Sequence, residues 1–446
     1  MAESRLEGLR WPHIARIGLV QASIGAIVVL MTSTVNRVMV VELALPAIVP
    51  GLLVAGHNVI QFGLRPSMGH GSDVSGRREA WIIGGMALLA LAGIGASAAT
   101  ATMATSRAWG LAYAAFCFLG IGAGVSAAGT PLLALLAERV APARRARAAA
   151  LVWIMMIAGF ITTTVVVSKL LVPFSYERLV GVTAVVAVAA FVVATLAVRG
   201  LESAEAPPPA PAALVPRETD FRAALRAVWA DPTARAFCWF ISLAMFAYSA
   251  QDLILEPFAG MVFGLSPAQS TAASGMHQSG LLVGMLATAA IAPAFGTSAK
   301  WASAGCTMSA LFFVLLALSP LSGSVLALKA TLVGLGFGNG MYSIGALASM
   351  MALTADKSDG RAGLRMGVFG AAQAVAMGTG NFIGAAGSDV ARSALGSSTG
   401  GYVVVFAVEA VMFAVAAVFA LRATARTEVR FALASADGET LLGAMR

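Results

Sequence analysis

Twelve runs of predominantly apolar residues follow one another along this chain, near 15–40, 44–65, 80–101, 108–137, 148–169, 178–199, 234–258, 270–293, 300–319, 324–354, 366–387 and 399–422. A helix needs roughly 20 such residues to cross the hydrocarbon core of a bilayer. Backbone immersed in hydrocarbon must satisfy its own hydrogen bonds, so each run is expected to be a transmembrane helix. Composition excludes the alternative. With 59% hydrophobic and only 11% charged residues and a mean hydropathy of +0.85, the chain cannot be a soluble globule, whose charged fraction would be about 25%. The fold class expected is an all-α polytopic membrane protein with twelve transmembrane helices.

Orientation follows from lysine and arginine alone. Of the 29 such residues, only Arg37, Arg107, Lys169, Arg178, Lys329 and Arg392 fall within the spans or on the side opposite the N-terminus. Both termini are therefore expected to be cytoplasmic. The net charge of +8 is this asymmetry; the basic residues are spread over successive loops, so nucleic acid is not an expected partner. The N-terminal stretch with Arg5, Glu7, Arg10 and Arg16 runs into the first apolar segment without a small-residue cleavage pattern, and no cleaved leader is expected. Cys117, Cys238 and Cys306 lie inside apolar runs at spacings that suggest neither a disulfide framework nor a metal site.

The longest polar interval separates six spans from six. It divides the chain into an N-terminal half at 1–199, a linker at 200–233, a C-terminal half at 234–422 and a tail at 423–446. The linker opens on a proline-rich spacer, Ala206 to Pro211. After Asp220 the apolar residues Phe221, Leu225, Val228 and Trp229 share one helical face with Arg222 and Arg226 on the other, the pattern of a helix lying on a membrane surface. The halves echo each other. Asn36, Arg37 and Glu42 late in span 1 answer Gln251, Asp252 and Glu256 late in span 7. His57 and Asn58 follow Pro46 as His277 and Gln278 follow Pro267.

Between spans 2 and 3 the chain reads G-x-x-x-D-x-x-G-R-R, with Gly69, Asp73, Gly76, Arg77 and Arg78 at the marked positions. This resembles the loop that latches the two halves of major facilitator proteins, and it implies that fold: two pseudo-symmetric six-helix halves. Asp73 is expected to accept backbone N–H bonds at a helix N-terminus, and the arginine pair to sit among anionic headgroups.

A narrower resemblance rests on Asn36 to Leu43, His70 to Asp73, Ala143 to Trp153, Gly360 to Leu364 and Gly370 to Gln373. These stretches look like the PucC/LhaA family of phototrophic bacteria, a branch of the major facilitator superfamily, and the likeness covers nearly the whole chain. The resemblance implies a non-enzymatic assembly factor for light-harvesting antennae. Its cargo would be bacteriochlorophyll a or a late precursor. Its partners would be antenna polypeptides, pigment-synthesis enzymes and the membrane-insertion machinery, and its location the cytoplasmic or intracytoplasmic membrane.

Polar residues at membrane depth are functional candidates because each costs a few kcal/mol unless paired or solvated. One set is Arg37, Glu42, Asp252 and Glu256, whose repeat-related positions place Arg37 opposite Asp252 as an ion pair. A second is His57 with Asn58 and Gln61, and His277 with Gln278. A neutral imidazole ligates magnesium and an amide bonds a ring carbonyl, so either histidine is a candidate pigment ligand. The other reading is that both hydrogen-bond across helices. No intrinsic metal site is expected. Glycine clusters at 120–124, 334–340 and 378–380 lie inside apolar spans and point to close helix packing rather than nucleotide binding. The function expected is delivery of bacteriochlorophyll to nascent antenna polypeptides. The alternative is a secondary transporter of a small solute by alternating access. Span 4 carries no buried arginine of the kind found in proton-coupled exporters, which disfavours the alternative. An enzymatic role is not expected, since no aspartate-rich diphosphate-binding pair appears in the cytoplasmic loops.

Overall fold

A computed structural model of the chain describes residues 9–140, 145–202, 229–292, 296–355 and 362–424. The surface helix expected at 221–229, apart from Trp229, most of the linker, Asp356 to Arg361, and the tail beyond 424 lie outside the described residues.

Each apolar run forms a helix. Among the described residues these are α1 (Trp11–Val29), α2 (Ile48–Ser75), α3 (Arg78–Met103), α4 (Arg107–Arg139), α5 (Arg145–Leu170), α6 (Tyr176–Val198), α7 (Pro232–Asp252), α8 (Leu255–Phe263), α9 (Pro267–Ile291), α10 (Ser298–Ser322), α11 (Val325–Ala355), α12 (Ala362–Leu395) and α13 (Ser398–Thr424). α1 continues through two π-helical turns, Leu30–Val35 and Val38–Glu42. Among the described residues seven of these helices are long and apolar enough to cross a membrane, and α7 and α8, bent by 44° at the break between them, are apolar enough together to count as an eighth if they form one span. The remaining four, α2, α9, α11 and α12, are diluted by polar residues and glycine. They carry the buried polar residues His57, His277, Asn339 and Asn381.

The interruption between α7 and α8 has a local cause. Pro257 supplies no N–H, and its ring clashes with the carbonyl four residues back. That carbonyl belongs to Leu253, which sits in the turn between the two helices and accepts a hydrogen bond from Asn36 Nδ2 at 2.7 Å. A side chain thus replaces the helix bond that proline removes.

The chain separates into two compact units. One holds Met1–Pro216 and Asp252–Gly275; the other holds Arg217–Gln251 and Met276–Arg446. Inside the first, α3 packs on α4 and α6, α1 on α5 and α6, and α2 on α4. Inside the second, α10 packs on α11 and α13, as α3 packs on α4 and α6, and α12 packs on α13. Glycine sets the closest approaches. A Cβ at Gly122 of α4 would come within 2.5 Å of the His57 carbonyl oxygen on α2, and one at Gly336 of α11 would collide with the His277 carbonyl oxygen on α9. The two histidines are thus equivalent in packing as well as in sequence, each with a glycine against its backbone.

Replacing Gly336 by alanine is expected to destabilise the protein by about 1–3 kcal/mol, the usual cost of overpacking, and Gly122→Ala should behave alike. The reference is Gly63→Ala, where a Cβ meets nothing within 4 Å and thermal unfolding in detergent should be unchanged.

Candidate functional site

The latch motif is shorter as a loop than the sequence suggests. α2 runs through Gly69 and Asp73 to Ser75, and the turn consists of Gly76, left-handed at φ 60°, and Arg77. Asp73 therefore lies in the last turn of α2 instead of at a helix N-terminus, a correction to the expected capping role. Helix beyond the bilayer keeps its backbone satisfied without needing apolar side chains, so the polar stretch prolongs α2.

The carboxylate acting at this turn is Glu79, in the first turn of α3. It accepts from the backbone N–H of Glu202 at 2.7 Å and of Gly200 at 3.1 Å, while the Glu202 carboxylate accepts from Arg78 N–H. Arg16 on α1 donates to the carbonyls of Ala197 (2.9 Å) and Arg199. The end of α6 is clasped from both sides, its amides by an anion and its carbonyls by a cation. Glu79→Ala should cost about 1–3 kcal/mol, as loss of a charged hydrogen-bond acceptor does, read as a lower unfolding temperature.

At the far end of α1, the π-helical turns rotate side chains out of α-helical phase. Residues five apart become neighbours in a π-helix, and this puts Glu42 beside Arg37, with Nη1 to Oε1 at 2.5 Å. Arg37 is 2% exposed and Glu42 31%. The second guanidinium nitrogen donates to the Leu265 carbonyl at 2.6 Å, and the group packs over Gly260 of α8. The ion pair expected between Arg37 and Asp252 is not formed: the partner of Arg37 is Glu42, on its own helix, because the change of helix type brings it there.

Glu256 opens α8, 3% exposed. Its carboxylate accepts from the Ser33 hydroxyl and from Thr271 Oγ1 at 3.3 Å. Ser33 lies 3.2 Å from Ser274, and Thr34 lies 3.0 Å from Thr271. Sequence reasoning found Glu256 but missed these four hydroxyls. Their signal was present in the run Thr32, Ser33, Thr34 ahead of Asn36, and in Ser270, Thr271 and Ser274 at helical spacing.

The two histidines stand in chains of side-chain hydrogen bonds that fix their tautomers. On α2, Arg65 donates to Gln61 Oε1 at 2.7 Å, which turns the Gln61 amide nitrogen toward His57 Nε2 at 2.5 Å. Since Gln61 must donate, His57 Nε2 carries a lone pair. In the second unit, Ser309 donates to Asn339 Oδ1 at 2.9 Å, and Asn339 Nδ2 faces His277 Nε2 at 3.3 Å, with the same result. Both imidazoles hold the form that binds a magnesium ion. Their surroundings differ. Ser309 and Asn339 are wholly buried, whereas Arg65 is exposed and Gln61 partly so. Asn58 is partly exposed, and Gln278 is buried with an Oε1 that has no partner.

A model of the PUCC protein family matches residues 34–428. The chain is 45% identical to the bacteriochlorophyll synthase 44.5 kDa chain of Rhodobacter capsulatus, over 92% of this chain and 95% of that one. It is 30% identical to Protein PucC of the same organism, over 92% and 91%. Among solved structures it resembles a D-xylose-proton symporter, with a TM-score of 0.70 at 13% identity covering 95% of this chain and 98% of that one. A bacterial homolog of the human lysosomal transporter Spinster, inward-facing and unoccupied, gives 0.66 at 16% identity, covering 93% and 98%. These likenesses show the major facilitator fold.

Proposed function

Because the chain belongs to the PUCC protein family, we propose that this multi-pass membrane protein is a non-enzymatic assembly factor that binds bacteriochlorophyll, or a late precursor, and delivers it to nascent antenna polypeptides. Family membership supports a part in assembling photosynthetic complexes, and the likeness to a protein named as a bacteriochlorophyll synthase chain supports the choice of cargo. One structural observation carries the reading to a residue. His57 presents an unprotonated Nε2 whose present partner, Gln61, lies on the same helix and leads to an exposed arginine. Gln61 can turn away without leaving a buried amide orphaned. His57 is then the magnesium ligand, with Asn58 and Gln61 as donors to ring carbonyls.

The name of that relative implies an enzyme; the non-enzymatic reading rests on membership of the PUCC protein family and on delivery requiring only binding and release. We place the protein in the cytoplasmic or intracytoplasmic membrane of a phototrophic bacterium, both termini cytoplasmic, with antenna polypeptides, pigment-synthesis enzymes and the insertion machinery as partners.

The test is pigment extraction and an absorption spectrum of protein purified in mild detergent from a phototrophic host. Bacteriochlorin near one per chain, lost when His57 and His277 are both phenylalanine, is the expected result. A colourless wild-type protein would overturn the reading in favour of alternating-access transport of a small solute, which the fold accommodates.

A further inference from the structure

The oxygen cluster at the helix interruption lies apart from the residues assigned above to pigment. We infer that Glu256, with the hydroxyls of Ser33, Thr34, Thr271 and Ser274, forms a binding site for a small monovalent cation, sodium. The first argument is donor chemistry. Every side-chain polar atom in the cluster is an oxygen, and carboxylate, hydroxyl and amide oxygens are ligands for hard cations. A single carboxylate matches a single positive charge. Divalent ions instead draw several carboxylates or retain waters.

The second argument is the number of oxygens. Holding a proton on Glu256 requires one acceptor, yet four hydroxyls converge on this carboxylate and on each other at separations of 3.3 Å or less. Three residues along the chain from Ser33, Asn36 Oδ1, in a residue 1% exposed, is buried without a hydrogen-bond partner. Asn36 Nδ2 is fixed on the Leu253 carbonyl at the interruption, so the amide is held in place while its oxygen stays available. A buried acceptor without a donor calls for a cation or a water.

The third argument is construction. Interrupted helices offer oxygen ligands at membrane depth because the break removes regular backbone pairing, and here the break is built by Pro257. Arg37 directs one nitrogen to Glu42 and the other to the Leu265 carbonyl, so it makes no hydrogen bond to Glu256, although its charge acts on that carboxylate. The resulting site occupies one structural unit and is independent of the pigment reading.

The experiment is thermal unfolding of the purified full-length protein in detergent, titrated with sodium chloride, potassium chloride or choline chloride at constant ionic strength. Sodium alone is expected to raise Tm saturably, since a ligand that binds only the folded state stabilises it by mass action. Thr271→Val and Ser274→Ala should keep the fold and shift the sodium midpoint upward about tenfold or more, and Glu256→Gln should abolish the response. Identical curves in the three salts would overturn the proposal. So would a sodium response that survives in Glu256→Gln, or, should that variant fail to fold, an unshifted midpoint in Thr271→Val. A Tm that follows pH and ignores sodium would assign the cluster to a proton instead.

Discussion

Removing the Glu42 carboxylate, as in Glu42→Ala, is expected to destabilise the folded protein by about 3–5 kcal/mol, the cost of leaving a buried charge without its partner. Arg37→Met should be milder. The asymmetry follows from exposure: Arg37 is 2% exposed and Glu42 31%. Without Glu42 a guanidinium remains at membrane depth with one carbonyl acceptor, at Leu265. Without Arg37 a partly exposed carboxylate remains, which solvent can reach, and methionine fills much of the vacated volume. The double variant should recover part of what Glu42→Ala loses, because it removes the stranded charge together with its partner. Unfolding temperatures of the four proteins in detergent measure the cycle. A cycle in which Arg37→Met is the more damaging single change would sink the assignment. Asp252→Asn, by contrast, should combine additively with Arg37→Met, since the two side chains do not pair.

The helices were legible because hydropathy reports them directly: a run such as 178–199 differs by only two residues at its start and one at its end from Tyr176–Val198. The internal repeat was legible at His57 and His277, whose backbone carbonyls each meet a glycine of a neighbouring helix. What sequence could not supply was phase and tertiary pairing. Assigning Arg37 to Asp252 assumed an unbroken α-helical end to span 1, and two π-helical turns there moved Glu42 into place instead. The polar stretch around Asp73 suggests a loop, whereas α2 continues through it, and the carboxylate that holds backbone amides at this turn is Glu79. Asn339 and Ser309 could not be connected to His277 from spacing, being 62 and 32 positions away; only the packing of α9, α10 and α11 brings them together.

That same difference in surroundings separates the two histidines experimentally. His57→Phe is expected to abolish pigment retention while lowering Tm little, and His277→Phe to do the reverse. At His277 the imidazole is the hydrogen-bond partner of a wholly buried asparagine amide. Phenylalanine would orphan the amide, costing about 1–3 kcal/mol. At His57 the amide released is that of Gln61, on the path to the exposed Arg65, so it can find solvent. Pigment per chain and Tm, measured on each single variant, resolve the two effects. Loss of pigment with His277→Phe at an unchanged Tm would transfer the ligand role to the second unit. Equal pigment loss in both variants without a difference in stability would mean that the repeat supplies two ligands, one from each histidine. If His57→Phe instead retains full pigment, the imidazole on α2 is a structural hydrogen-bonding group, and the cargo is held by contacts other than magnesium ligation.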